Sequence, residues 1–268
     1  MNDLLVIDYV NKFRKLDFPF PYQDIDAFKS YNKLAKTDKP KSNIGIDLVY
    51  KFHPSLWFAN KHNKLSPYQA WNDVNALTQC VMNRLKYKGE DLSPFDIVYG
   101  FSASYIAPKV SLFRPALAKY LINKYLDNYT EIFDPCSGYS GRLLGASILH
   151  KKYIGQDINK TIVNEANILI KTLGLTDCVV SNKNSIATTG EYECLFTCPP
   201  YSDKENWNQS IEDLSCDEWI DICLNNYKCD CYMFVVDDTE KYKDYIVEYI
   251  RNKSHFNDST EKVIVIRR

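Results

Sequence analysis

Two short stretches hold the residues whose types and spacing could do chemistry. In "LFTCPPYSDKENW" an apolar run ends at Thr197 and meets Cys198, Pro199, Pro200 and Tyr201. The prolines fix φ and lack backbone donors, so a strand must stop there in a stiff loop. About 60 residues upstream, "IFDPCSGYSGRLLGA" places Asp134 at the end of another apolar run, followed by Gly138 and Gly141. Four of the nine glycines (138, 141, 145 and 155) fall within 18 residues, a density that suits close backbone approach to a ligand. Asp157 closes the next strand-like run 19 residues after Gly138, where an acid takes ribose hydroxyls. Together these features point to a cofactor that carries adenosine.

The turn reads D-P-x-x-G and not G-x-G-x-x-G, and an acid at its start sits badly beside a pyrophosphate. Such an acid suits a cationic amine, such as the α-amino group of S-adenosylmethionine.

The elements that must position these residues alternate along the chain. A helix over about 116 to 128 leads to a strand ending at Asp134, a helix over 139 to 150 and a strand ending at Asp157. A helix with Ile162, Ala166, Leu169, Ile170 and Leu173 on one face stops at Gly174, and the strands "DCVVSN" and "YECLFT" follow. Ser215 to Glu218 reads as a capping box, and the strand "CYMFVVDD", a helix over 239 to 252 and the strand "KVIVIRR" end the run. Strands alternating with helices predict a mostly parallel sheet covered on both faces.

Residues 1 to 104 read as a mostly helical lobe. Ser66-Pro67 starts one helix, with Trp71, Val74, Leu77, Val81 and Leu85 at helical spacing and Gly89 past its end, and Ser93-Pro94 starts another. The formal net charge is −1, but residues 1 to 120 carry 17 Lys+Arg against 11 Asp+Glu, while the rest carry 16 against 23. The basic half could lie along a phosphate backbone, with Lys61 and Lys64 in "HPSLWFANKHNKLSPY" as candidate contacts and Trp207 as a candidate at the site rim. Nine cysteines with no zinc-type spacing predict reduced thiols and no metal site. With no membrane-length apolar run and no signal-peptide pattern, a cytoplasmic protein is expected.

Residues 105 to 268 resemble the S-adenosylmethionine-dependent DNA amino-methyltransferases. Asp134-Pro135-Cys136-Ser137-Gly138 is similar to their first motif, and Cys198-Pro199-Pro200-Tyr201 to their catalytic [Asp/Asn/Ser]-Pro-Pro-aromatic tetrapeptide. "SLFRPALAKYLI" (111 to 122) is similar to the segment that closes over the methionine end. The resemblance implies an α/β, class I methyltransferase-like (Rossmann-like) and mostly parallel seven-stranded sheet over 105–268, beside a mainly helical N-terminal lobe. It also implies that Phe113, Asp134, Pro135, Ser137 and Gly138 hold the amino-acid part of the cofactor. Asp157 and Ile158 would hold the ribose, and Asn184 or Ser185 the adenine edge. The chain departs from the pattern at Ser140, where a second glycine is common, and at Arg142, where small hydroxyl residues are common.

The chemistry then expected is methyl transfer to adenine N6 or cytosine N4 of a base flipped out of DNA. A rigid Pro-Pro segment presents a backbone carbonyl that orients the amino group, and Tyr201 offers a stacking face. Cys198 is a weaker acceptor than the oxygen side chains common there. The alternatives are an RNA amino-methyltransferase, a catalytically silent DNA-binding subunit, and a cysteine nucleophile acting at cytosine C5. The last needs a separate upstream cofactor loop, and Gly45, Gly89 and Gly100 do not supply one. Site-specific modification of the restriction-modification kind follows from the resemblance, with an endonuclease partner and the oligomeric state left open.

Overall fold

The computed structural model describes residues 3–61, 63–199, 205–206, 214–253 and 258–268; of 205–206, 251–253 and 258–259 only the backbone is discussed. In chain order the helices are α1 (Asp3–Phe13), α2 (Ala27–Ala35), α3 (Ile46–Phe52), α4 (Pro67–Asn72), α5 (Val74–Lys88), α6 (Pro94–Ala103), α7 (Pro115–Tyr125), α8 (Gly141–Ile148), α9 (Lys160–Leu173) and α10 (Cys216–Asn226). The strands are β1 (Asn60–Lys61), β2 (Glu131–Asp134), β3 (Lys152–Asp157), β4 (Cys178–Asn182), β5 (Gly190–Thr197), β6 (Glu205–Asn206), β7 (Tyr227–Val236), β8 (Ile246–Lys253) and β9 (Asp258–Arg267).

The chain forms two compact units: residues 1–24, 54–111 and 203–210 in one, and 25–53, 112–202 and 211–268 in the other. A single cut at residue 104 therefore misses that residues 25–53 belong with the sheet. Side chains explain why. The Lys119 ammonium on α7 donates to the Ala35 and Thr37 carbonyls at 2.7 and 2.9 Å, and Tyr31 donates to Ser147 on α8 at 3.1 Å. Gly45 has φ +91°, and a Cβ there would lie 3.0 Å from Pro115, so the entry to α3 packs tightly on the start of α7.

The smaller unit is helical around an aromatic core of Phe13, Phe18, Trp57, Trp71 and Phe101. Ser66 and Gln69 form the capping box of α4 with Pro67 in its first turn, as the Ser-Pro signal predicts. The single helix read through Trp71 to Leu85 is two, because the Asp73 side chain accepts the Ala76 amide at 2.8 Å and starts α5 afresh. A two-residue antiparallel ladder pairs β1 with β6.

The larger unit is built on a seven-stranded sheet in the order β4-β3-β2-β5-β7-β9-β8. The first five run parallel, and β9 is antiparallel to both β7 and β8. This is the mostly parallel, Rossmann-like seven-stranded sheet that the motifs led us to expect. Its centre is apolar on both faces, with Phe133, Leu195, Tyr232, Phe234 and Ile264 buried on one and Ile132, Phe196, Met233 and Val235 on the other, and Phe133 is stacked on Tyr192 at 3.9 Å. From β2 the chain winds outward through β3 and β4, then returns to the other side of β2 as β5. Sequence order reverses between β2 and β5, the place where such sheets bind ligands.

One predicted element is overturned. Residues 239–252 are not a helix: Lys243–Tyr245 forms one 3-10 turn and Ile246–Lys253 is the edge strand β8. Burial alternates from Ile246 to Ile250, with Val247 and Tyr249 exposed, which is the period of a strand. The loop before it is held by the Asp217 carboxylate on α10, which accepts the Thr239 hydroxyl and the Glu240 and Lys241 amides. Among the described residues no helix is long and apolar enough to cross a membrane.

Candidate active site

The two stretches singled out in the sequence meet at the carboxyl ends of β3, β2 and β5, three neighbouring strands of the larger unit. Asp134 ends β2, Asp157 ends β3, and Cys198-Pro199 follows β5. Asp157 is partly buried, and its Oδ2 accepts the Gly138 amide at 2.9 Å while Oδ1 accepts the Asn159 amide at 2.9 Å. A carboxylate has about four lone-pair sites, so two remain for a ligand. Burial raises the pKa of Asp157, and the two amides offset part of that shift. Asn182 at the end of β4 donates to the Asp157 and Ile158 carbonyls at 3.0 and 2.8 Å, fixing this strand end from the far side.

The turn after β2 is shaped by close approach. At Gly141 a Cβ would stand 2.0 Å from the Phe113 carbonyl oxygen, so only glycine fits where the 111–122 segment crosses the turn. At Gly138, with φ +53°, the nearest atom to a Cβ among the described residues is the Cys136 carbonyl oxygen at 3.9 Å, so the turn is uncrowded there. Ser137 is 3% exposed, and its hydroxyl has no hydrogen-bond partner among the described residues. Pro135 is buried beneath the turn. The Phe113 ring lies edge-on to Phe196 at 5.7 Å, with the Arg142 guanidinium 5.1 Å from its centre.

Asp134 has a different environment from the one expected of an amine ligand. It is fully buried and already has its cation, Arg142, whose Nε donates at 2.6 Å. Tyr153 on β3 donates to Oδ2 at 2.6 Å and Thr197 on β5 to Oδ1 at 2.8 Å, and the Cys136 amide approaches Oδ1 at 3.2 Å. The carboxylate therefore ties the end of β2 to the end of β5 and to Tyr153 near the start of β3. Burial and the Asp134 charge both push the Tyr153 phenol well above its ordinary pKa, so it remains a donor. Arg142 is 4% exposed, and burial works against its charge while Asp134 restores it. Of these partners the sequence flagged only Arg142, as a departure. Tyr153 is a polar-tipped aromatic inside an apolar strand, and Thr197 stands one residue before the tetrapeptide.

A second polar node lies beneath the turn. His53, with no exposed surface, approaches Ser140 Oγ through Nε2 at 2.8 Å and Glu165 Oε2 through Nδ1 at 3.2 Å. Nothing in the spacing of these three residues along the chain announced their meeting.

The other expected residues are placed as follows. Ser185 is buried and its hydroxyl faces the Cys136 sulfur at 3.8 Å, whereas Asn184 is exposed and its side chain accepts the Ile186 amide at 3.0 Å. Cys198 is partly buried and Pro199 buried, while Pro200, Tyr201 and Trp207 lie outside the described residues. Lys61 and Lys64 belong to the smaller unit, where Lys61 donates to Ser111 at 2.5 Å and Lys64 to the Tyr105 carbonyl at 2.8 Å. That unit carries 10 Lys+Arg against 10 Asp+Glu, so the basic balance of the N-terminal half is not its property. Half of that balance lies in residues 25–53, with six lysines and three aspartates. Among the described residues no cluster of His, Cys, Asp and Glu could hold a metal ion.

No family model matches the chain, and neither does any curated protein. Solved structures of similar shape include the candidate methyltransferase yhhF of Escherichia coli, at 14% identity and TM-score 0.42, covering 60% of this chain and 92% of its own. A candidate RNA methyltransferase from Pyrococcus horikoshii is 12% identical at TM-score 0.43, covering 57% of this chain and 82% of its own. An rRNA methylase from Streptococcus thermophilus is 11% identical at TM-score 0.41, covering 59% and 99%. The likeness is one of general shape.

Proposed function

We propose that the chain is an S-adenosylmethionine-dependent methyltransferase acting on an exocyclic amino group, adenine N6 or cytosine N4, in DNA. The observation that carries the reading is the arrangement at the switch point: an acid with lone pairs to spare, a glycine turn uncrowded at Gly138 among the described residues, and the Cys198-Pro199 segment end three adjacent strands. The residues present fit the nucleoside part of the cofactor. Asp157 would accept the ribose hydroxyls, the buried Ser137 hydroxyl, without a partner among the described residues, would bond the cofactor, and the Ser185 side of the site would meet the adenine. Asp134 would not hold the amine but would brace the turn against β5.

The cofactor supplies a methyl group on a positively charged sulfur. Toward it, the Pro199 carbonyl would orient the target amino group, and the proton would leave to solvent after transfer. Tyr201 would stack on the extruded base. Lys61 and Lys64, which donate to Ser111 and to the Tyr105 carbonyl, would be the contacts to phosphate. The test is transfer of a labelled methyl group by the purified chain to duplex DNA and, separately, to RNA, with the product nucleoside identified by mass spectrometry. N6-methyladenine or N4-methylcytosine in DNA is the expected product. Transfer to RNA alone moves the substrate class, and 5-methylcytosine overturns the amino-group chemistry.

A further inference from the structure

Ser140 has φ +62°, in the left-handed region, at the residue preceding α8. L-residues other than glycine, asparagine and aspartate avoid this conformation. A serine before a helix ordinarily earns its place by accepting an amide of the first turn, but the Ser140 hydroxyl makes no such cap. It turns instead to His53, which lies at the end of α3. The strained backbone and the diverted hydroxyl thus belong to one residue, whose side chain is held by His53.

Two further neighbours hold the His53 ring. Its Nδ1 faces Glu165 on α9, and the Tyr139 ring packs edge-on against it at 5.5 Å and 83°. With Glu165 as carboxylate, Nδ1–H is the donor and Nε2 accepts the Ser140 hydroxyl; in the imidazolium form Nε2–H donates to it instead. The bond to Ser140 exists in both. The Ser–His–Glu order is that of a hydrolytic triad, but Ser140 is 1% exposed and His53 wholly buried, so no substrate can reach either.

We infer that His53 is a positioning residue for the cofactor turn: held by Glu165, it clamps Ser140 in the left-handed conformation that a glycine would adopt unaided. This rests on the cofactor reading above. Ser140 follows Gly138 by two residues and immediately precedes Gly141, the residue against which the Phe113 segment packs. Losing the clamp would let the turn relax away from the shape that presents Gly138 to Asp157. Residues 25–53 are then more than an outer layer, because their last residue sets the geometry of the site.

The test is a double-variant cycle on the full chain, read by calorimetric titration with S-adenosylmethionine and by amide hydrogen exchange of residues 136–142 without it. His53→Ala should weaken cofactor binding by about tenfold and speed exchange in the turn. His53→Gln keeps an amide within reach of Ser140 while losing Glu165, and should stay within about threefold of the parent. In a Ser140→Gly chain, His53→Ala should cost under about twofold, since glycine needs no clamp. Equal losses from His53→Ala in both backgrounds, or a glutamine variant as weak as alanine, would show that His53 merely fills space. If His53→Ala fails to fold, the glutamine variant and the glycine background still decide. A parent chain that does not bind S-adenosylmethionine sinks the cofactor reading, and the exchange cycle then still judges the clamp.

Discussion

Asp134 and Asp157 end adjacent parallel strands, each just before a turn, and from sequence either could be a ligand acid. Their surroundings divide them. Asp134 is sealed by Arg142, Tyr153 and Thr197, whereas Asp157 meets two backbone amides and keeps room for more. An acid at a strand end can brace the sheet or serve a ligand, and the donors already bound tell which. Three charged or hydroxyl side chains converging from three elements use up an acceptor. Two local amides orient it and leave it usable.

The largest expected effect tests the sealed acid. Asp134→Asn leaves the Arg142 guanidinium buried without its counter-charge, and should lower the unfolding free energy by about 3–5 kcal/mol. Urea unfolding of the cofactor-free chain measures it. Adding Arg142→Met should recover much of the loss, because removing both members of a buried pair costs less than breaking it. A variant of unchanged stability that has lost only cofactor binding would return Asp134 to the role of an amine ligand.

The open acid should behave in the opposite way. Asp157→Ala should weaken S-adenosylmethionine binding by about 1–3 kcal/mol through lost charge-assisted hydrogen bonds. Its effect on stability should be smaller than that of Asp134→Asn, and calorimetry beside urea unfolding separates the two. The pH dependence has a definite sign. Burial raises the Asp157 pKa, so as pH falls the carboxylate is protonated earlier than an ordinary one, and affinity should begin to fall above the usual carboxylate range. The same shift makes the protonated form the better one for the fold, so this group's contribution to stability is lost as pH rises through the raised pKa. In Asp157→Ala the binding curve should flatten over that interval. A curve of unchanged slope would remove Asp157 from the site.

Much of this was legible in the sequence, because strand ends, glycine turns and helix caps are local signals. Gly174 stops α9 in a left-handed cap and Ser215 opens α10 with its box, as the residues predict. The helix expected over 239–252 was a misjudged period: Ile246, Glu248 and Ile250 face one way in a two-residue repeat. The partners of Asp134 were hidden for another reason. Tyr153 and Thr197 come from strands on either side of β2, and no local pattern encodes which side chains a sheet brings together. His53 was hidden more deeply, since 87 residues separate it from Ser140. The basic N-terminal half does not map onto one unit, because charge summed along the chain ignores that residues 25–53 fold with the sheet.

A smaller effect sharpens the contrast. Thr197→Val keeps the volume but removes one donor from Asp134, at a cost of about 1–2 kcal/mol in stability. Because Thr197 directly precedes Cys198, the tetrapeptide should lose its alignment while Asp157 and the turn keep theirs. Methyl-transfer turnover should fall with the S-adenosylmethionine dissociation constant unchanged. If affinity falls as much as turnover, Asp134 acts on the cofactor directly.

The smallest expected effect is none at all, and it concerns the thiol beside the sealed acid. Cys136 follows Asp134 by two residues in "DPCSG", and a cysteine attacking cytosine C5 would have to be a thiolate. Burial pushes its pKa up to about 12, the Asp134 charge adds to the rise, and Ser185 offsets only part of it. At pH 8 roughly one thiol in ten thousand would then be ionised. Iodoacetamide at that pH should leave the Cys136 peptide unmodified in the folded chain and label it after unfolding in urea, as peptide mass spectrometry would record. In Asp134→Asn, with one source of the rise removed, labelling should stay slow because burial is the larger cause. Rapid labelling of the folded parent would mean that burial and the acid together do not suppress the thiolate, and would reopen nucleophilic chemistry at this turn.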